Sequence, residues 1–364
     1  MAALAASAGP SGILRVVSDH TQTPSATAPD ATPRATPRAT SDATPVSPAL
    51  ADAPVVAHVV RAGFVESVHH GTVVVTAPGG SVELEVGDAS GPVFPRSSSK
   101  PLQALAMLRS GLQTDDLHLA LACSSHSGED FHVAAAREIL AGSGLTETDL
   151  QNTPDYPYDE SARIAWIANG LPKQSIVQNC SGKHASMLAT CVRNGWDLTT
   201  YRDPAHPLQV AVADTVRELS GAEPSAVAVD GCGAPIHAIP LSALALAFGR
   251  LAAATDGPEA RISAAIRAYP EYLGGTHRDV TTLIRGVDGL VAKDGAEAVY
   301  AVGLPDGRGV AVKVADGSSR ARPVVLAAVL RRIGVDAEDT LAALEHQPVL
   351  GHGQPVGSVV AVGI

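Results

Sequence analysis

Strand-forming segments lie towards both ends of this chain, and helix-forming segments lie between them. VVAHVVRAG (55–63) and TVVVTAPGGSVELEVGD (72–88) are rich in β-branched residues, and the second turns back at Gly79-Gly80. Residues 289–317 contain further paired strands with Asp-Gly turns. Strand hairpins at both ends with helices between them favour an α/β fold (an α+β sandwich), in which an antiparallel sheet is packed with helices.

The amino-terminal segment differs in composition from the rest of the chain. Residues 1–54 consist largely of Ala, Thr, Ser and Pro, include the tandem repeat ATPRATPR (31–38), and contain no aromatic residue. Such a segment cannot bury enough apolar surface to offset the entropy lost on ordering. We therefore expect a disordered tail over 1–54 and one folded domain over 55–364.

The overall composition excludes several classes of protein. The formal net charge of −11 argues against a nucleic-acid or anionic-membrane partner. The sequence has no apolar run of about 20 residues, so we expect no membrane-spanning helix. Four cysteines among 364 residues are too few for a disulfide scaffold, and no basic residue precedes Arg15 as a secretory signal would require. These features favour a cytoplasmic location.

Lysine is rare in this chain and occurs next to polar motifs. Of 26 basic residues only five are lysine: Lys100, Lys173, Lys183, Lys293 and Lys313. Burial can make a lysine amine neutral, whereas an arginine stays charged. A lysine kept in so arginine-rich a chain is therefore a candidate for chemistry that needs an amine.

The first candidate motif is Ser97-x-x-Lys100, at the start of the predicted helix SSSKPLQALAMLRSG (97–111). Residues three apart on a helix share one face, and the helix start offers free N–H groups. A neutral Lys100 amine could accept the Ser97 proton, which requires lowering a lysine pKa from about 10.4 towards 7–8. The alternative is a helix-capping serine followed by a solvated lysine.

Two later segments extend this motif. Ser124-Ser125-His126-Ser127 lies in a predicted loop, and Lys293-Asp294-Gly295 lies in a predicted strand. The order S-x-x-K, loop serine, K-x-G is that of serine β-lactamases and penicillin-binding proteins, although Ser127 stands where those enzymes usually carry Asn. The alternatives are a turn hydroxyl and a strand-end charge. The glycine-rich loop GGTHRD (274–279) is a further candidate for the wall of a substrate pocket.

Two cysteines lie in polar, glycine-rich segments. Cys180 precedes Lys183 by three residues, and Cys232 lies in the later segment DGCG. Thiolates suit zinc, and a lysine can join them only as a neutral amine. The alternative is a pair of reduced, partly buried cysteines. His184 is open to two roles, as a metal ligand or as a group that binds a substrate carboxylate.

Five motifs occur together and in order along the chain: FPRSSSKPLQAL (94–105), ACSSHSGE (122–129), NCSGKHASML (179–188), VDGCGAPIHAIPL (229–241) and AKDGAEAVYAVGLPDGRGVAVKVADG (292–317). From about Val55 to the carboxyl terminus the chain resembles the L-asparaginase II family, the rhizobial, thermolabile type of asparaginase. Three consecutive serines before Lys100 blur the register of the first motif, and the tail has no expected counterpart in the family.

The resemblance implies a fold and an activity. Family members are homodimers with a serine β-lactamase/glutaminase-like architecture, and they hydrolyse L-asparagine to L-aspartate and ammonia. Two serine–lysine pairs serve their active site. By motif match these are Ser97 with Lys100, and Ser125 with Lys293. We expect Ser97 to be the acylated residue, because its lysine lies on the same helix turn.

The resemblance also implies a zinc site and a substrate-binding set. The family's two cysteines and one lysine correspond to Cys180, Lys183 and Cys232. Arg96, His184 and Asp230 match the positions that hold the charged α-groups of the substrate; an arginine can bind a carboxylate and an aspartate an ammonium. The competing hypotheses are a glutaminase or β-lactamase-like hydrolase of the same architecture, and a non-catalytic protein that binds zinc or an amino acid.

Overall fold

The computed structural model describes residues 46–364. The predicted tail over 1–54 therefore lies outside the described residues except for its last nine positions. Those positions include the short helix α1 (Pro48–Ala51), in which Ala49 is fully buried. The Ala49 carbonyl accepts a hydrogen bond from the Thr72 hydroxyl at 2.7 Å. Residues 46–54 are thus packed against the folded domain.

Two antiparallel sheets account for the strands, which are rich in valine and other β-branched residues. The strands are β1 (Val55–Arg61), β2 (Phe64–Thr76), β3 (Val82–Val86), β4 (Pro92–Val93), β5 (Ala226–Val229), β6 (Pro235–Pro240), β7 (Val291–Gly295), β8 (Val299–Gly303), β9 (Gly309–Val314), β10 (Pro348–Gly351) and β11 (Gln354–Ala361). The predicted hairpin at Gly79-Gly80 is confirmed, because β2 and β3 pair across that turn.

The larger sheet joins the two ends of the domain. Its order is β10-β11-β1-β2-β9-β8-β7. The eighth strand, β3, is not part of this linear order and pairs with β2. The first strand pairs with the last, with Ala57 opposite Ala361, so residues more than 300 positions apart lie side by side. The smaller sheet has the order β4-β6-β5.

Most helices lie between β4 and β7 in the sequence. These are α2 (Lys100–Arg109), α3 (Asp116–Ala122), α4 (Asp130–Gly142), α5 (Glu160–Ala168), α6 (Ser181–Asn194), α7 (Pro207–Ser220), α8 (Leu241–Ala253), α9 (Gly257–Ala268), α10 (Pro270–Leu273) and α11 (Asp279–Gly286). Two more follow β9: α12 (Arg322–Arg332) and α13 (Glu338–Glu345). The predicted helix over 97–111 is confirmed from Lys100 onwards, while Arg96–Ser99 form a 3₁₀-helix.

The core lies where helices cover the central strands. Every residue of β7, β8 and β9 is buried, so both faces of these strands are covered, and α8 and α12 pack against β8 and β9. Close packing depends on glycine at Gly303, because an added Cβ there would collide with the backbone carbonyl of Phe248 in α8. The predicted class is confirmed: an α/β fold with an antiparallel sheet packed with helices.

The edge strand β7 faces the helical part of the molecule. It contacts the 3₁₀-helix Arg96–Ser99, and the Ser98 hydroxyl donates to the Lys293 carbonyl in β7 at 3.0 Å. Helices α2, α3 and α6 pack against one another beside this contact. The first, second and fifth sequence motifs therefore meet between β7 and the start of α2.

Candidate active site

A cavity of about 250 Å³ opens between β7 and the start of α2. Ser97 reaches it from the 3₁₀-helix and Ser125 from the loop that follows α3. Charged side chains also line it, among them Arg278, Asp294 and Glu297. The cavity thus brings the two predicted catalytic serines together with groups of both charges, in a volume suited to a small polar molecule.

Lys100 is buried beneath this cavity and contacts Ser125. Its Nζ lies 2.9 Å from Ser125 Oγ, 2.5 Å from the Ser124 carbonyl oxygen and 3.1 Å from Cys180 Sγ. Ser97 Oγ is not among these partners; Ser97 is half-buried and faces the cavity, whereas the lysine side chain extends to the loop after α3. The hydroxyl that shares a hydrogen bond with the Lys100 amine is therefore that of Ser125.

Lys293 is also fully buried, but its amine contacts Asp294. Its Nζ donates to the Asp294 carbonyl at 2.7 Å and to Asp294 Oδ1 at 2.6 Å. Burial lowers the pKa of Lys293 to about 8; the Asp294 carboxylate opposes this shift and the Lys100 charge adds to it. The structure thus places Lys293 next to Asp294, while the amine bonded to Ser125 is that of Lys100.

Two arginines hold the Asp294 carboxylate. Arg278 forms an ion pair with it, and Arg322 Nη1 lies 3.6 Å from its Oδ2. Burial alone would raise the pKa of Asp294, but Arg278, Lys293 and Arg322 hold it well below its usual range. Arg278 stacks over the Tyr158 ring at 4.7 Å, and its Nη1 lies 3.4 Å from the Ser125 carbonyl oxygen. Arg278 therefore links the Ser125 loop to the Lys293–Asp294 strand.

Arg96 and Asp230, two predicted substrate-binding residues, form an ion pair with each other. Arg96 Nε lies 2.7 Å from Asp230 Oδ1. The Arg96 backbone has φ +53°, a left-handed conformation that is unfavourable for a residue with a Cβ. Neither residue is among those that line the cavity, although Arg96 directly precedes Ser97.

His184, the third predicted substrate-binding residue, is fully buried in the first turn of α6. Its Nδ1 is paired with the Tyr201 hydroxyl at 2.7 Å, and its buried Nε2 has no hydrogen-bond partner within residues 46–364. Burial, together with the Lys183 charge, lowers the pKa of His184 to about 4. A neutral, fully buried imidazole carries no charge to attract a substrate carboxylate. His184 is therefore better placed to pack beside Cys232 than to bind the substrate.

The predicted metal ligands converge at the start of α6. Cys180 caps this helix, Lys183 lies in its first turn, and Cys232 comes from the loop between β5 and β6. Lys183 Nζ lies 3.2 Å from Cys232 Sγ, and the two buried cysteines pack together. Both are free thiols.

These residues fit zinc by the chemistry of their donor atoms. Two sulfurs and one lysine amine in its neutral form would give soft and nitrogen ligands of the kind that zinc prefers. Within the described part of the chain, no cluster of three or more His, Cys, Asp or Glu side chains is arranged to hold a metal. Zinc would therefore need the lysine amine as one of its ligands.

Sequence reasoning missed several residues that line the cavity. Glu297 lies inside the fifth motif but had no spacing that marked it, and Tyr158 and Arg322 lie outside all five motifs. Arg278 belongs to the glycine-rich loop GGTHRD, which was a candidate for a pocket wall, and it does line the cavity. The glycine-rich loop was thus a signal for Arg278 alone, and no sequence pattern marked Glu297, Tyr158 or Arg322.

Fold and site together define an α/β protein with two serine hydroxyls and buried lysine amines at one small polar cavity. The model of the L-asparaginase II family matches residues 57–361. This chain belongs to the L-asparaginase II family, and it is an amidohydrolase of the asparaginase kind. Among residues 46–364, no helix is long and apolar enough to cross a membrane.

Similarity of this chain to other known proteins is weak. No curated protein sequence matches the chain. Among solved structures, a crystal structure of Mglu matches with a TM-score of 0.32 and 16% identity, covering 77% of this chain and 69% of that one. Mglu in its glutamate form gives a TM-score of 0.34 and 16% identity, covering 74% and 62%. Similarity at these TM-scores carries no argument about substrate or mechanism.

Proposed function

We propose that this protein is an L-asparagine amidohydrolase, which converts L-asparagine to L-aspartate and ammonia through an acyl-enzyme on a serine. The observation that carries the proposal is the hydrogen bond between Lys100 Nζ and Ser125 Oγ at the wall of a cavity that Ser97 also lines. Membership of the L-asparaginase II family supports the substrate class.

Ser125 is the nucleophile in this proposal, with Lys100 as its base. A neutral lysine amine has two hydrogens and one lone pair. It can donate to the Ser124 carbonyl and to Cys180 Sγ while it accepts the proton of the Ser125 hydroxyl. The Ser125 oxygen then attacks the side-chain amide carbon of the substrate. This assignment exchanges the roles expected for Ser97 and Ser125, because the geometry favours the hydroxyl bonded to the amine.

The leaving nitrogen needs a proton, and the cavity offers a donor beside the nucleophile. Lys100 gives the Ser125 proton to the amide nitrogen, and we assign Ser97, whose hydroxyl lines the same cavity, as the group that relays it. The Lys293 ammonium, paired with Asp294, supplies positive charge that supports this relay without touching Ser97. The C–N bond breaks and ammonia leaves. Water then attacks the ester carbon while Lys100 takes its proton. Lys100 returns that proton to Ser125 Oγ as the ester C–O bond breaks and L-aspartate departs.

Charges around the cavity suit a zwitterionic substrate. The Arg96–Asp230 pair holds the backbone next to Ser97 in place, and Arg278 lines the cavity with its guanidinium. In this proposal Arg96 contributes to binding the α-carboxylate. Asp230 and the buried His184 act through their neighbours, Arg96 and the cysteine cluster.

Zinc belongs to the proposal through Cys180, Lys183 and Cys232. A bound zinc ion would supply a fixed positive centre that orders the start of α6 and supports substrate binding. Cys180 links this set to the reacting groups, because its sulfur lies 3.1 Å from Lys100 Nζ. The serine supplies the nucleophile, so the ion is not needed to generate one.

The family resemblance further supports a homodimer and a cytoplasmic enzyme, both as parts of the proposal. Sedimentation of the purified chain tests the first, and fractionation of the producing cell tests the second. A sedimenting species of twice the chain mass, and recovery in the cytoplasmic fraction, are the expected results. A monomer, or recovery outside that fraction, would contradict them.

Ammonia release is the experiment that tests the activity. We expect turnover of L-asparagine to exceed turnover of L-glutamine and of the β-lactam nitrocefin. Faster turnover of L-glutamine or nitrocefin would assign the protein to a different acyl hydrolase of this architecture. Asparagine binding without ammonia release would identify a binding protein and would overturn the proposal.

A further inference from the structure

The turn between β7 and β8 places a carboxylate at the mouth of the cavity. It comprises residues 296–298, and Glu297 lines the same cavity as Ser97 and Ser125. The Glu297 side chain is 61% exposed, so its carboxylate is reachable from solvent and from the cavity. Neither sequence motifs nor the mechanism above gives this residue a role.

The backbone holds Glu297 in an unfavourable conformation. Glu297 has φ +57° and Ala298 has φ +54°, two successive left-handed residues that both carry a Cβ. Lys313 stabilises this turn: its buried amine donates to the Glu297 carbonyl and, at 2.8 Å, to the Val314 carbonyl. Strained backbone held by surrounding contacts is typical of functional sites.

The carboxylate has a defined position across the cavity mouth. Glu297 Oε1 lies 3.6 Å from Arg96 Nη1, which is beyond hydrogen-bond distance. Its Oε2 lies against Gly317, where an added Cβ would collide with it. The carboxylate therefore lies between Arg96 on one side and Gly317 on the other, and it lines the same cavity as Ser97.

Other acidic groups near the cavity already have cationic partners. Asp294 is bonded to Arg278 and Lys293, and Asp230 is bonded to Arg96 at 2.7 Å. Among the described residues, Glu297 has only the longer ion pair with Arg96 at 3.6 Å. Glu297 keeps acceptor capacity that the described residues do not use. An amino-acid substrate carries an ammonium group, which requires such an acceptor.

We propose that Glu297 binds the α-ammonium group of the amino-acid substrate, and that Lys313 is the positioning residue that holds Glu297 at the cavity mouth. This inference rests on the proposed amidohydrolase function of the same cavity. Glu297 then determines specificity: it favours amides that carry a neighbouring ammonium over the same amides without one.

Succinamate is the matched probe, because it is asparagine without the α-amino group. For Glu297→Gln we expect kcat/KM on L-asparagine to fall roughly 10- to 100-fold, as for loss of a hydrogen bond to a charged group. The kcat/KM of this variant on succinamate should stay within about twofold of the wild-type value, because succinamate has no ammonium group for Glu297 to bind. Glu83 is an exposed glutamate in β3, so Glu83→Gln is the control and should leave kcat/KM on both substrates unchanged.

Two further variants separate binding from folding. Glu297→Asp keeps the charge and should recover part of the preference for L-asparagine, and Lys313→Met should lower that preference by loosening the turn. An equal fall in kcat/KM on both substrates in Glu297→Gln would show a structural role and would overturn the inference. Wild-type values of kcat/KM on both substrates would overturn it as well. If the wild-type protein releases no ammonia from either amide, the proposed function fails first, so the two failures are distinguishable.

Discussion

Lys100 Nζ lies 2.9 Å from Ser125 Oγ, although these residues are 25 positions apart and Ser97 is only three positions from the lysine. Neighbours on one helix turn were the expected pair, yet the long lysine side chain is buried towards the loop after α3. Lys100 also contacts Cys180, so one amine joins the Ser125 loop to the cysteine cluster. The proposed base and the predicted metal site are therefore adjacent.

Replacing Lys100 with arginine tests whether its amine acts as a base. Arginine keeps the positive charge but does not lose its proton, so we expect kcat to fall by about 10²- to 10⁴-fold. Steady-state ammonia release measures the effect. Lys173→Arg is the matched control, because Lys173 forms an exposed ion pair with Asp155 and should keep full activity. Activity of Lys100→Arg close to wild type would remove Lys100 from the mechanism.

The pH dependence should report Lys293. Its pKa is lowered by burial to about 8, so the ammonium form is lost as the pH rises through that value. Since the proposed relay uses the ammonium, kcat should decline above about pH 8. Lys293→Arg, which keeps its proton, should lack this decline even if its overall rate is low. A decline that persists in Lys293→Arg would assign the titration to another group.

The same shift has a consequence for stability. The pKa of Lys293 is about 8 in the folded chain against 10.5 for an ordinary lysine, so between these values the unfolded chain binds more protons. The contribution of Lys293 to the free energy of unfolding should therefore increase as the pH rises through this window. Comparing urea unfolding of wild type and Lys293→Arg across the window measures it; parallel curves would contradict the prediction.

Metal content tests the cysteine cluster without reference to activity. We expect the purified protein to carry zinc, and Cys232→Ser to lose it, because the site would keep too few strong ligands. Chelation should lower the melting temperature of the wild type and leave that of Cys232→Ser unchanged. Cys191→Ala, a change within the apolar core, is the control and should retain the metal. Equal zinc content in all three proteins would exclude this site.

Helix–sheet packing gives a prediction about stability. In Gly303→Ala the added methyl group would collide with the Phe248 carbonyl in α8. We expect the free energy of unfolding to fall by about 1–3 kcal/mol or more. Gly79→Ala, where nothing lies within 4 Å of the added methyl, should cost far less. Denaturant titration compares the two, and equal stability would show that α8 can move away.

Local patterns predicted much of the fold but not its connections. Valine-rich runs and the glycine turn at 79–80 specify strands, and helix periodicity specifies α2 and α8. Nothing local specifies that Ala57 lies opposite Ala361, because strand partners are chosen by packing across the whole domain. The start of the folded part was also placed too late, since a short alanine-containing segment such as 48–51 gains its stability from the contacts of Ala49.

In the candidate site, too, the sequence indicated individual residues but not the contacts between them. Motifs indicated Ser97, Lys100, Ser125 and Lys293 as candidates, because residue types suited to acyl transfer occur there in a recognisable order. They did not identify which amine contacts which hydroxyl, since this depends on where a flexible side chain is buried. Glu297 was missed for a related reason: its proposed role depends on a left-handed backbone and on its position between Arg96 and Gly317, which no sequence pattern shows.

The most direct test of the account is to quench the enzyme with acid during turnover of L-asparagine and to map the aspartyl adduct by mass spectrometry. Wild type, Ser125→Ala and Ser97→Ala are compared, with Ser143→Ala at the end of α4 as the serine control. The account predicts an adduct on the peptide containing Ser125, absent in Ser125→Ala and present in the control. An adduct on Ser97 that persists in Ser125→Ala would contradict it.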